Sequence, residues 1–211
     1  MKNTSAEMEP CGPPLPSHFY NRNPVEVARD LIGKLLIHRF NGTRLVGLIV
    51  ETEAYAQDDP ACHAARGMRP SNRHMFGEPG TLYVYRSYGV HWCANAVTGP
   101  VGTGEAVLLR AAQPLEGLQW MRNQRLTAAD HRLAAGPGNL TRAFGIHGEH
   151  SGASLQTGSI TLHHGPQQSW EIAQAPRVGI TKAAARPWRF LISGHKSVSR
   201  PPRPAPEDAE W

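Results

Sequence analysis

Long apolar runs are missing from this chain. No stretch approaches the roughly 20 residues that a membrane-spanning helix needs, and the opening MKNTSAEMEPCGPPLP lacks the apolar core of a secretion signal. Cysteine is scarce. Cys11, Cys62 and Cys93 are odd in number and follow no paired spacing, which argues against a disulfide framework and fits a reducing compartment. A cytoplasmic protein is therefore expected. Several chemical signatures are absent as well. There is no Walker loop and no dinucleotide fingerprint, so nucleotide hydrolysis and hydride transfer have no support. The eleven histidines cluster only as Cys62-His63, His147-Gly148-Glu149-His150 and His163-His164, without HExxH or paired CxxC spacing. No Pro-Cys-x-x-Cys follows a His-x-Glu, which removes zinc-dependent deamination. Neither a metal nor a cofactor is expected.

What the chain does carry is punctuation. Eighteen prolines and twenty-one glycines among 211 residues, with 40% apolar content, point to short strands and many turns rather than a bundle of long helices. The length suits one core. Residues 1–16 and 199–211 are polar and Pro-rich and read as disordered tails, because they bury too little apolar surface to offset their ordering entropy. The folded unit is then 17–198. Lys and Arg exceed Asp and Glu by 22 to 17, a modest excess that is compatible with a polyanionic partner and does not establish one.

Local patterns set out the elements. Asn23 as N-cap, Pro24 at the first helical position and Gly33 as the stop predict a helix with Val25, Ala28 and Ile32 along one stripe. KLLIHRF (34–40) and TRLVGLIVETEAY (43–55) flank Asn41-Gly42, a strong hairpin signal. LYVYRS and HWCANAV flank Tyr88-Gly89 in the same way, and EAVLLRAAQ (105–113) is a further strand. A helix is expected from about Pro114 to Leu126, and a glycine turn in AGPGNLTRAFGI leads into another near Leu140. SITLHHG, RVGITK and WRFLISG read as late strands. The expected fold is α+β: a single domain with a curved antiparallel sheet, a protruding hairpin and surrounding helices.

The chemistry gathers on one strand. Side chains alternate across a sheet, so Glu51, Glu53 and Tyr55 share a face while Val50, Thr52 and Ala54 take the other. Two glutamates on a strand are usually solvated, yet an apolar strand such as LIVETEAY partly desolvates a carboxylate and raises its basicity, which suits a general base. Arg110, inside VLLRAA, requires an anionic partner or a reacting species, since an isolated buried charge is costly. Tyr83 and Tyr85 alternate like sheet packing, with Tyr88 beyond them at the turn, but tyrosine faces also form stacking platforms for planar rings.

Taken together and in this order, IVETEAY, the loop ending in His63, NRHMFGEPGTLYVYRSYGVHWCANAV, AVLLRA and PLEGLQWMR resemble the alkyladenine (3-methyladenine, methylpurine) DNA glycosylase family. The resemblance spans roughly Pro24 to Gly194. It implies a monomeric enzyme that flips alkylated or deaminated purines out of duplex DNA and hydrolyses the N-glycosidic bond without strand cleavage. By the same resemblance Glu53 activates water, with Arg110 and the backbone carbonyl of Val178 holding it. Tyr55 and His63 line one side of the base and Tyr85 the other. Asn95 excludes guanine, and Tyr88 is the wedge that fills the emptied stack.

Two other readings stay open on the residues alone. Glu51 and Glu53, roughly 7 Å apart on an extended strand, fall in the span that inverting glycoside hydrolases use. A non-catalytic module that stacks bases of damaged or single-stranded DNA on Tyr55 and Tyr85 is the second.

Overall fold

The computed structural model describes residues 12–125 and 129–202. Eight strands form one curved antiparallel sheet. β1 (Leu35–Phe40) and β2 (Thr43–Tyr55) are joined by Asn41-Gly42, whose φ values of 48° and 73° are those of the two-residue turn that the dipeptide favours. β3 (Leu82–Ser87) and β4 (His91–Val97) form the second hairpin, whose tip is exposed. β5 (Ala106–Glu116) lies between β4 and β2, and β6 (Ile160–His163) closes the far edge to give the order β3-β4-β5-β2-β1-β6. β8 (Arg189–Ile192) pairs with β2 at Glu51–Glu53, and β7 (Ile172–Ala175) pairs with β8.

β2 is the organising strand. One of its edges pairs with β1 over Thr43–Leu48 and then with β8 from Glu51, so the sheet forks there. Its register with β5 shifts at the same place: Ile49 faces Ala112, Glu51 faces Ala111 and Thr52 faces Leu109, leaving Val50 and Arg110 as extra residues on opposing strands. Such bulges bend a strand and re-aim its side chains. Alternation otherwise holds. Thr52 turns to the helix side and donates to the Ala28 carbonyl at 2.7 Å, while Glu51 and Glu53 reach Arg110 on the other face.

Helices pack against the sheet at β2, β4 and β5. α1 is Ser17–Tyr20, α2 Pro24–Asp30, α3 Leu118–Arg125 and α4 Pro137–Phe144. Asn23 caps α2 through Val25 N–H at 2.9 Å. α4 presses so closely on β2 that a Cβ at Gly47 would sit 2.6 Å from the Phe144 ring. The main core joins both layers through fully buried residues such as Leu31, Ile37, Ile49, Leu109 and Phe144, each contributing about 1.5–3 kcal/mol on burial. A second, smaller cluster of Cys62, Ala64, Met75, Phe76, Tyr83, Val97 and Ala106 supports Tyr55 and Tyr85. Cys62 and Cys93 are buried free thiols. Among the described residues no helix is long and apolar enough to cross a membrane.

Four expectations need correction. The helix expected from Pro114 begins only at Leu118, because β5 runs on to Glu116 and Gly117, at φ 77°, makes the break; Pro114 is tolerated beside the bulge at Leu115. Residues 126–128 lie outside the described residues. RVGITK is not a strand, since the Val178 N–H is taken by a side chain, and β7 lies just before it instead. The N-terminal tail boundary moves: Leu15 is fully buried and donates to the Leu162 carbonyl at 2.7 Å. The C-terminal boundary moves too, because Ser199 is bonded to Glu51. Residues 1–11 and 203–211, also assigned to tails, lie outside the described residues.

Candidate active site

A cleft of about 420 Å³ opens beside β2 and the β3–β4 hairpin. Tyr55, His63, Tyr85, Asn95, Arg110 and Val178 all line it, so the structure brings these sequence-selected residues to one place; Tyr88 stands at its rim. Glu53 lies directly behind this lining and is fully buried.

Glu53 accepts three hydrogen bonds, from Val178 N–H at 2.7 Å, the Tyr55 hydroxyl at 2.9 Å and Arg110 Nη1 at 3.2 Å. A carboxylate offers about four acceptor directions, so one remains. Burial pushes its pKa up, against the opposing pull of Arg110, Val178 N–H and Tyr55, and the charge of Glu51 adds to the rise. Glu51 differs. Its four donors are Arg110 Nε (2.9 Å), Arg189 Nε (2.7 Å) and the Ser199 hydroxyl (2.9 Å) on Oε1, and the Ser199 N–H (2.7 Å) on Oε2. Burial opposes its ionisation too, but Arg110, Arg189 and Ser199 outweigh that and hold its pKa below the usual carboxylate range. Two neighbouring acids are thus driven apart. Glu51 is an ionised anchor, and Glu53 is the more basic group.

The aromatic walls have their own supports. Arg177, fully buried, forms an ion pair with Asp59 and places its guanidinium 4.7 Å from the Tyr55 ring centroid and 5.3 Å from that of Trp188. One face of Tyr55 is therefore occupied by protein. Tyr83 and Tyr85 stack at 5.6 Å, and the Tyr83 hydroxyl meets His63 Nδ1 at 3.1 Å. His63 meets Tyr85 edge to face at 4.2 Å. Loss of solvent around its ring lowers the His63 pKa, which favours neutral imidazole. Burial raises the hydroxyl pKa of Tyr55 and Tyr85, so both rings stay neutral. Asn95 donates to the Tyr83 and Cys93 carbonyls at 3.1 and 3.4 Å, which fixes its amide in the cleft wall.

Residues 18–196 match the family model described as Methylpurine-DNA glycosylase. The chain belongs to the methylpurine-DNA glycosylase family. A protein of Methanoculleus marisnigri, provisionally named 3-methyladenine DNA glycosylase, is 50% identical over 190 residues, covering 88% of this chain and 98% of its own. Provisionally named counterparts from Rhodopseudomonas palustris and Salinibacter ruber are each 46% identical, covering 90% and 88% of this chain and 92% and 96% of theirs. Membership makes the chain a DNA glycosylase, a hydrolase of N-glycosyl bonds whose substrate is DNA.

Within this methylpurine-DNA glycosylase, reading the sequence missed Arg177, Asp59, Arg189 and Ser199. Arg177 occupies the segment read as a strand, and Ser199 one read as a tail. A buried Asp in a polar loop gives no periodic signal, and each of these pairs spans more than a hundred residues. The one available hint was charge bookkeeping. Two carboxylates on an apolar strand need more than Arg110 to balance them.

Proposed function

We propose that this glycosylase flips an alkylated or deaminated purine nucleotide into the cleft and hydrolyses its N-glycosidic bond with a water activated by Glu53. Candidate bases are 3-methyladenine, 7-methylguanine, hypoxanthine and ethenoadenine. The observation that carries the reading is the state of Glu53: a buried carboxylate of raised basicity, with one acceptor direction left, behind a wall of aromatic rings. Arg110 and the Val178 carbonyl hold the water against the sugar. The free face of Tyr55 takes the base with His63, and Tyr85 stacks opposite. His63 and Tyr85 touch in the free protein, so the imidazole swings aside as the base enters. A cationic alkylpurine gains attraction to the tyrosine faces and is already a good leaving group. Asn95 crowds the exocyclic amine of guanine.

Flipping costs a few kcal/mol, least for a damaged or mispaired base. Tyr88, 91% exposed at the hairpin tip, offsets part of that by entering the vacated stack. Among the described residues no lysine lines the cleft, which supports simple hydrolysis to an abasic site without a lyase step. The enzyme acts as a monomer on duplex DNA.

Glu51 speaks against a two-carboxylate glycoside hydrolase. Such a mechanism needs both carboxylates to reach the sugar, and Glu51 is fully buried, lies outside the cleft lining and is engaged by Arg110, Arg189 and Ser199. A purely stacking module would not need Glu53. The deciding experiment incubates wild type and Glu53→Gln with duplexes carrying hypoxanthine, ethenoadenine or 3-methyladenine, followed by alkali. Wild type is expected to yield cut strands only after alkali. The variant is expected to lose at least about 100-fold in base release while still binding the lesion duplex. Equal release by both proteins would refute the role of Glu53, and cutting without alkali would refute the absence of a lyase step.

A further inference from the structure

The family match ends at residue 196, yet the chain continues into the site. After β8 it turns at His195, whose backbone N–H bonds to the Ile192 carbonyl and whose Nε2 lies 3.1 Å from Gln113 Oε1. Val198 N–H returns to the His195 carbonyl, and its side chain tucks into the main core. The next two residues run along the back of the two carboxylates. Ser199 gives Glu51 both its N–H (2.7 Å) and its hydroxyl proton (2.9 Å), and the same oxygen accepts from Arg110 Nη2 at 3.4 Å. Arg189 Nη2 donates to the Arg200 carbonyl.

These contacts divide the Arg110 guanidinium among three acceptors. Nε goes to Glu51, Nη1 to Glu53 and Nη2 to Ser199. A serine hydroxyl has one proton and two lone pairs, so it can donate to the acid and accept from the arginine at once. Charge balance follows the same plan. Glu51, Glu53, Arg110 and Arg189, all 5% exposed or less, sum to zero when both acids are ionised. Because Ser199 takes up Arg110 Nη2, the guanidinium meets Glu51 through Nε alone, and Nη1 stays toward Glu53.

We propose that residues 195–200 form a strap that belongs to the catalytic apparatus, with Ser199 as the positioning residue that sets the orientation of Arg110 and the ionisation of Glu51 behind the general base. The proposal rests on the reading of Glu53 given above. Other titratable or charged groups around the two acids are Tyr55 from β2, Tyr85 from β3, Cys93 from β4, Arg110 from β5 and Arg189 from β8, with Arg177 beyond Tyr55. His195 faces Gln113. Removing the Ser199 hydroxyl destabilises ionised Glu51, so a proton is shared by the two acids and the doubly ionised form appears only at higher pH.

The test follows single-turnover base release from a hypoxanthine duplex between pH 5 and pH 9 for wild type, Glu53→Gln, Ser199→Ala, Ser199→Thr and a chain ended after Val198, with a melting curve for each. Ser199→Ala is expected to slow release by about tenfold and to move the acid limb up by about one pH unit. Ser199→Thr, which keeps the hydroxyl, should restore both, and the shortened chain, which also loses the Ser199 N–H and the Arg200 carbonyl, should move the limb further than Ser199→Ala. A wild-type acid limb in Ser199→Ala overturns the strap whatever its melting temperature, because a merely structural residue would lower the folded fraction without moving the limb. Equal release by wild type and Glu53→Gln would instead remove the general base itself, and the strap proposal with it.

Discussion

Replacing Asp59 by Asn tests whether the wall behind Tyr55 is built on a buried charge pair. Both Asp59 and Arg177 have side chains with no exposure, and Arg177 Nη1 bonds to the Asp59 carboxylate and to the Ala54 carbonyl at 2.9 Å. Removing one partner of a buried pair costs about 3–5 kcal/mol, because the remaining charge keeps its desolvation penalty. Part of that is offset here. The guanidinium retains the Ala54 carbonyl and lies over the rings of Tyr55 and Trp188, each worth about 0.5–2 kcal/mol when water is excluded. Asp59→Asn is therefore expected near the lower end, about 3 kcal/mol. For a chain of this size that is a fall in Tm of about 6–12 °C. Urea unfolding at pH 7 gives the free energy, and a double-mutant cycle with Arg177→Met isolates the pair. The double variant should be less destabilised than the sum of the single ones, since no charge is then left buried alone. Tyr55, less well supported, should bind lesion duplexes more weakly in Asp59→Asn. A cost under about 1 kcal/mol, or strict additivity in the cycle, would refute the reasoning.

Two further outcomes follow from the site. For Glu53, whose folded pKa is raised, the stability contribution is complete below the ordinary value of 4.5 and is lost as pH rises through the folded pKa, so wild type weakens relative to Glu53→Gln with rising pH. For Glu51, whose folded pKa is lowered, the contribution is present above 4.5 and lost as pH falls through the folded value, so wild type weakens relative to Glu51→Gln with falling pH. Urea unfolding across pH 3 to 9 checks both, and parallel curves for the two variants would contradict the opposed environments of the acids. Tyr88→Asn should separate folding from function. At φ 49° an asparagine is better tolerated than a tyrosine, so the variant should gain about 0.5–1 kcal/mol in stability while losing base release, and a variant unchanged in release would remove the wedge role.

Much of the scaffold was legible because its signals are local. The bounds of β2 follow from alternation and from Asn41-Gly42, and the tip of the second hairpin from Tyr88-Gly89, where φ is positive at both residues as at the first turn. Glu53 and Arg110 stood out because charges on apolar strands need partners, and the structure joins them. The partners of Glu51 were not legible. Ser199 lies 148 residues away and Arg189 138, and no periodicity connects residues across such distances. RVGITK misled for a different reason. Its alternation suits a strand, but the Val178 N–H that a ladder would use is spent on the Glu53 carboxylate.

The turn at Tyr88 has a mechanical consequence for how such a protein would survey a duplex. A bulky ring is held in a backbone conformation that costs it about 1 kcal/mol or more, and it is displayed with almost no neighbours. In the wedge role proposed above, it would act as a probe of compliance. A well-stacked step resists the ring, whereas a step softened by a lesion or mispair yields to it. Faults would then be felt as local weakness along the double helix before any base reaches the cleft.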